Sequence, residues 1–119
     1  MDPIYKPKIL QGHIRPIKDI KFAKDQPFLF SASSDRNVVQ WNYNTNEKVF
    51  EYNHSACVNI VALNSTLEYM ISGDSTGRIY IWEIKSKTKI NEIDFDPTLN
   101  VRSIQISSDN IHTIITFAN

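Results

Sequence analysis

The sequence predicts an all-β chain built as a tandem repeat. Three observations carry that expectation. Residue types recur at a fixed offset of 41, short apolar runs alternate with clusters of turn formers, and no longer window holds a helical stripe.

Laid against itself at a shift of 41, the chain brings Trp41 onto Trp82 and His13 onto His54. Ile17, Ile20 and Phe22 fall on Val58, Val61 and Leu63, while Phe28 falls on Tyr69, Ser31 on Ser72 and Val38 on Ile79. One coincidence means little; eight at one offset, with residue type preserved, mean duplication. A period in the window of roughly 40–45 residues marks four-stranded β-propeller blades. A third copy starts at an offset of 43, where Val101, Ile104 and Ile106 repeat Val58, Val61 and Leu63. The expected architecture is therefore a partial β-propeller. Residues 1–11 form an N-terminal segment whose Lys8-Ile9-Leu10 is placed as a ring-closing strand. Residues 12–52 form the first blade, 53–95 the second and 96–119 the start of a third. Two and a half blades cannot close a ring. The chain is accordingly expected to be a fragment, a truncated product or a unit completed by another chain, prone to self-association while its faces are open.

Within each repeat the elements read as short antiparallel strands. Ile17 to Phe22 mixes apolar and charged residues at near-strand spacing. Phe28-Leu29-Phe30-Ser31 and Tyr69-Met70-Ile71-Ser72 are apolar runs suited to strands buried on both faces. Val38-Val39-Gln40-Trp41 and Ile79-Tyr80-Ile81-Trp82 are β-branched and aromatic, as strands prefer. Thr113 to Phe117 supplies the second strand of the third copy. Turn formers stand between them at Lys24 to Pro27, Ser33 to Asn37, Asn42 to Asn46 and Ser75 to Gly77.

Composition narrows the classes of function. Hydrophobic residues at 41% and aromatics at 11% suffice for a packed core, which argues against disorder. Thirteen basic and thirteen acidic residues cancel, leaving no electrostatic footprint for direct nucleic-acid binding or for an anionic membrane. Lys85, Lys87 and Lys89 come nearest to a basic cluster, and their alternation reads as the wet side of a hairpin. The single cysteine, Cys57, cannot form an internal disulfide and points to a reducing compartment. Met1 to Pro7 lacks the apolar run of a secretory signal, and no stretch approaches the roughly 20 apolar residues that span a bilayer. A cytoplasmic chain is expected.

The repeated positions resemble the WD40 family, whose repeat opens on Gly-His, carries Ser and Asp around its second turn and closes its third strand on Trp-Asp. Gly12-His13, Ser31, Asp35 and Trp41-Asn42 follow that pattern in the first repeat, and Asn53-His54, Ser72 and Trp82-Glu83 in the second. The third copy has Phe95 near the His position and lacks the signature. The resemblance implies a hydrogen-bonded blade network of His13, Ser31, Asp35 and Trp41, with His54, Ser72 and Trp82 as its counterparts. A buried imidazole needs a partner on each ring nitrogen, and a carboxylate on one side sets its tautomer. Thr76 stands where the first repeat has Asp35. The second chain of hydrogen bonds is therefore expected to be incomplete, and the first blade the more tightly held.

A narrower resemblance lies in Lys8 to Ile17 and in Val101-Arg102-Ser103, which are similar to the subunit-i family of eukaryotic translation initiation factor three. That resemblance implies a non-catalytic scaffold whose partners are other subunits of the factor, b and g, and which touches the small ribosomal subunit indirectly. It implies no cofactor and no small-molecule substrate. The alternative is a WD40 adaptor of another assembly, such as a ubiquitin-ligase receptor or a signalling scaffold. Arg15, Arg36 and Arg78 are the only candidates for the basic ring such adaptors carry.

Competing chemistry is weak. The separations of His13, His54 and His112 follow the repeat rather than any metal-ligand spacing, and no Cys pair accompanies them. Ser31, His13 and Asp35 have the composition of a hydrolase triad but no nucleophile elbow. Cys57 reads as a small hydrophobe. Gly73 to Gly77 lacks the Lys-Ser/Thr of a phosphate loop and reads as a hairpin turn. No enzyme is expected.

Overall fold

The computed structural model describes residues 9–118, and every regular element among them is a β-strand. In chain order these are β1 Ile17–Phe22, β2 Phe28–Ser33, β3 Asn37–Asn42, β4 Glu47–Asn53 and β5 Val58–Leu63. There follow β6 Tyr69–Asp74, β7 Arg78–Glu83, β8 Thr88–Asp94, β9 Asn100–Ile106 and β10 Thr113–Ala118. They pair as two four-stranded meanders, β1-β2-β3-β4 and β5-β6-β7-β8, and a two-stranded sheet, β9-β10. All pairings are antiparallel. No helix among the described residues is long and apolar enough to cross a membrane. Of the segment expected to close a ring, residues 1–8 lie outside the described residues. Ile9 and Leu10 carry no strand pairing, and Leu10 packs beside Trp41.

Packing explains why the central strands are apolar on both sides. One face of the first sheet (Phe30, Ala32, Val38, Tyr52) meets Val58, Val61, Met70, Tyr80 and Trp82 of the second. The other face of the second sheet, through Ala62, Ile71 and Ile79, meets Val101 and Ile104 of β9. Each middle strand thus lies between two apolar layers, and little but β-branched and aromatic residues fits there. The outer strand of the second sheet, β8, is exposed along its whole length. By the repeat, Ile17 and Ile20 are the counterparts of Val58 and Val61. The latter pair is wholly buried against the neighbouring sheet, whereas Ile17 and Ile20 are each 47% exposed.

The spacing of the apolar residues in the first strand of each sheet has a structural cause. Strict alternation would put them two apart, yet Ile17-Ile20-Phe22, Val58-Val61-Leu63 and Val101-Ile104-Ile106 each skip an extra residue. In all three strands a β-bulge absorbs it: the register jumps between Ile17 and Asp19, between Val58 and Ile60, and between Val101 and Ser103. The extra residue restores the apolar face beyond the bulge and leaves Lys18, Asn59 and Arg102 outside the ladder.

The turns repeat as well. Arg36 (φ 74°) and Gly77 (φ 72°) hold the same left-handed position in the β2–β3 and β6–β7 turns. At Gly77 a Cβ would also sit 2.3 Å from the carbonyl oxygen of Asp96. A left-handed conformation costs a non-glycine residue roughly 1–2 kcal/mol, while glycine's freedom in the unfolded chain returns about 0.4–1 of it. Arg36→Gly should therefore raise stability by up to about 1 kcal/mol, and Gly77→Ala should lower it by about 2 kcal/mol or more. Urea denaturation measures both; a stabilising Gly77→Ala would contradict the assignment.

Candidate functional site

The loops and central strands of the two four-stranded sheets converge on a buried polar chain. In the first sheet Trp41 comes from β3, Ser31 from β2, His13 from the loop before β1 and Asp35 from the β2–β3 turn. Trp41 Nε1 donates to Ser31 Oγ at 2.9 Å. Ser31 Oγ lies 2.6 Å from His13 Nε2, and His13 Nδ1 lies 2.7 Å from Asp35 Oδ2. The carboxylate also accepts from the backbone N–H groups of Ile14 at 3.2 Å and Asn37 at 3.1 Å, which fixes the loop to the turn. Gly12 precedes the histidine because the Trp41 ring rests there: a Cβ would fall 2.7 Å from its Cη2.

Donor counting gives this chain a direction. The indole can only donate, and the carboxylate can only accept. The Ser31 hydroxyl accepts from Trp41, so its own proton goes to His13 Nε2, which leaves the imidazole proton on Nδ1 facing Asp35. A protonated His13 would put a second donor on Ser31 and orphan the hydroxyl proton. The neutral Nδ1–H tautomer is the one the geometry accepts.

The second sheet carries the same chain, and here the expectation that Thr76 leaves it incomplete is overturned. Trp82 Nε1 donates to Ser72 Oγ at 2.8 Å, Ser72 Oγ lies 2.5 Å from His54 Nε2, and His54 Nδ1 lies 3.0 Å from Asp74 Oδ2. The carboxylate comes from the last residue of β6 rather than from the turn. Its other oxygen, Oδ1, accepts from Thr76 N and Thr76 Oγ1, both at 2.8 Å, and from Arg78 N at 3.2 Å. Thr76 therefore serves the network by capping Asp74. In the first repeat the position matching Asp74 is Ser33, whose hydroxyl donates to the carbonyls of Arg15 and Pro16 and accepts from Asp35 N at 3.1 Å. Strict alignment hid Asp74. The signal was a carboxylate on the strand side of the turn, within reach of the same imidazole nitrogen.

The second chain is also the drier. His54 and Asp74 side chains are wholly buried, against 4% and 3% exposure for His13 and Asp35. His54 stacks on Tyr80 with ring centroids 4.0 Å apart and planes 10° from parallel. Burial pulls the His54 imidazole below its ordinary pKa, against the opposing pull of the Asp74 hydrogen bond. Burial pushes Asp35 and Asp74 up, but the histidine and the turn N–H groups outweigh it and hold both carboxyls below their ordinary value.

Other residues singled out in the sequence stand apart. Both ring nitrogens of His13 and His54 are engaged as above, and His112 is exposed in the turn before β10. Ser31 is 1% exposed, and its oxygen already accepts the indole N–H, which removes it from any substrate's reach. Cys57 is partly buried, with Sγ 3.4 Å from the Ser34 carbonyl oxygen. Arg78 opens β7 and donates to Ser55 Oγ at 2.7 Å, whereas Arg15 and Arg36 are exposed. Lys89 lies 4.1 Å from the centroid of the Tyr80 ring.

Comparison with known proteins follows the repeats. The sequence profile of the family "WD domain, G-beta repeat" (WD40) matches residues 5–42 and 46–83, more than half of the chain. Eukaryotic translation initiation factor 3 subunit I of Neurospora crassa is 30% identical over 105 residues, covering 87% of this chain and 30% of that protein. The protein of the same name from Schizosaccharomyces pombe is 29% identical, covering 87% of this chain and 31% of its own length. Among solved structures, U3-55K superposes with a TM-score of 0.72 and the RRP9 WD40 repeats with 0.71, both at 25% identity and over 77% of this chain. The chain spans about 30% of the length of these curated relatives.

With the two networks alike, Asp74→Ala and Asp35→Ala should each cost roughly 1–3 kcal/mol by orphaning buried donors. Thr76→Ala should cost under about 1 kcal/mol, because Asp74 keeps its imidazole and backbone partners. Thermal unfolding of the three variants is the check. A costly Asp35→Ala beside a silent Asp74→Ala would contradict the second network.

Proposed function

The chain belongs to the WD40 (WD domain, G-beta repeat) family, and from that premise we propose that it holds proteins together rather than transforming a substrate. The residues with catalytic composition are spent on the fold, with Ser31, His13 and Asp35 buried in a saturated hydrogen-bonded chain. The assembly we propose is eukaryotic translation initiation factor three, in the cytoplasm. One observation carries this reading. The likeness to subunit I covers 87% of the chain, so it extends past residue 83, where the two matched WD40 repeats stop. A resemblance due only to generic blade residues would fade there.

In this reading the partners are other subunits of the factor, b and g, and the small ribosomal subunit is approached through them. No cofactor or small-molecule substrate enters. The balanced charge, thirteen basic against thirteen acidic residues, fits a chain that meets the ribosome through protein neighbours rather than by gripping RNA. Affinity capture of the tagged chain from cell extract, followed by mass spectrometry after nuclease treatment, tests the proposal. Recovery of factor-three subunits including b and g is expected. Recovery instead of a ubiquitin ligase or a receptor complex would replace this assembly with the adaptor alternative.

A further inference from the structure

The three bulged residues of the inner strands meet in one place, and this feature is independent of the assembly proposed above. The strands β1, β5 and β9 lie side by side as the first strands of successive sheets. Lys18, Asn59 and Arg102 occupy the same repeat position on them. A bulged residue is released from the ladder and its side chain is re-aimed, which is why bulges recur beside functional sites. Here all three line a single shallow depression of about 390 Å³, together with Asn100, Val101 and Ala118.

The depression is polar and cationic. Lys18 and Arg102 are exposed, and neither has a hydrogen-bond or ion-pair partner among the described residues. The nearest carboxylate in sequence, Asp19, is committed elsewhere: it pairs with Lys21 Nζ at 2.8 Å and accepts the backbone N–H of Val61 at 3.1 Å. Asn59 donates one amide hydrogen to the Val101 carbonyl at 3.1 Å, which fixes its side chain between the two cations' strands. An ammonium and a guanidinium offer eight N–H donors and no acceptor, so the chemistry they recognise is anionic.

We propose that this inner-strand depression binds the acidic side chains of a partner protein segment. Carboxylates suit the planar fork of Arg102 and the point charge of Lys18. Single-stranded nucleic acid is disfavoured, because the lining holds no aromatic ring on which a base could stack and the chain carries no net positive charge.

Fluorescence anisotropy on the whole chain tests the proposal, with a fluorescein-labelled hexaglutamate peptide as probe and hexaglutamine, a phosphoserine hexapeptide and hexauridylate as comparisons. Hexaglutamate should bind in a salt-dependent manner, and the Lys18→Gln/Arg102→Gln pair should weaken it by about tenfold or more. Lys24→Gln/Lys85→Gln, which removes two cations elsewhere, should leave it within about twofold. A phosphoserine peptide bound more tightly than hexaglutamate, and lost in the same variant, would keep the site and assign its anion to phosphate. Titration followed by NMR should shift the amides of Lys18, Asn59 and Arg102 first. Equal weakening in both double variants, no binding at millimolar peptide, or tighter binding of hexauridylate would overturn the proposal.

Discussion

A sheet buried on both faces has nowhere to hide an unpaired polar group, and that constraint organises this chain. β2 and β6 run through the interior between apolar layers, yet each carries a serine there, Ser31 and Ser72, with 1% and no exposure. The serine is tolerable because its hydroxyl is the middle link of a directed chain: indole to hydroxyl, hydroxyl to imidazole, imidazole to carboxylate. Each link satisfies one donor and one acceptor that burial would otherwise leave stranded at a cost of about 1–3 kcal/mol. No buried side-chain nitrogen or oxygen among the described residues lacks a partner. The same links bind the loop before the first strand to the second and third, so the chain of hydrogen bonds also sets where that loop ends and the sheet begins.

Because that polar chain is internal and saturated, it is a poor place to look for recognition. What a partner can read is the outside: loop termini, inner-strand bulges and the exposed outer strands. This division fits a family in which the fold is a platform and function is grafted onto its surface. It also explains why Ser31, His13 and Asp35 resemble a catalytic triad without acting as one. A triad's serine must face a substrate, and the Trp41 indole fills that role here.

Much of this architecture was legible from apolar spacing alone. The paired runs at Phe28 to Ser31 and Tyr69 to Ser72 announced buried central strands, and Trp41 and Trp82 marked the strand beside each. The spacing Ile17-Ile20-Phe22 even encoded a bulge, though it reads as imperfect alternation until the register is seen. The outer strands β4 and β8 were not legible. Glu47–Asn53 and Thr88–Asp94 are largely solvated, and they pair along one edge only, so no apolar face is imposed on them. Asp74 was missed for a different reason. Alignment at a fixed offset assumes that equivalent atoms come from equivalent positions, whereas the imidazole constrains only where a carboxylate oxygen lies. Asp35 reaches that point from within the turn and Asp74 from the strand before it.

The central claim is the direction of the buried hydrogen bonds, and the imidazole nitrogens report it directly. Long-range ¹H–¹⁵N correlation spectra of the two histidine rings, recorded from neutral pH downward, distinguish Nδ1–H, Nε2–H and doubly protonated states. The account predicts His13 and His54 as neutral Nδ1–H tautomers at neutral pH. It also predicts that His54 stays neutral as the pH falls through the ordinary histidine value, since burial lowers its pKa. An Nε2–H tautomer in either ring, or an imidazolium at His54 at neutral pH, would contradict it.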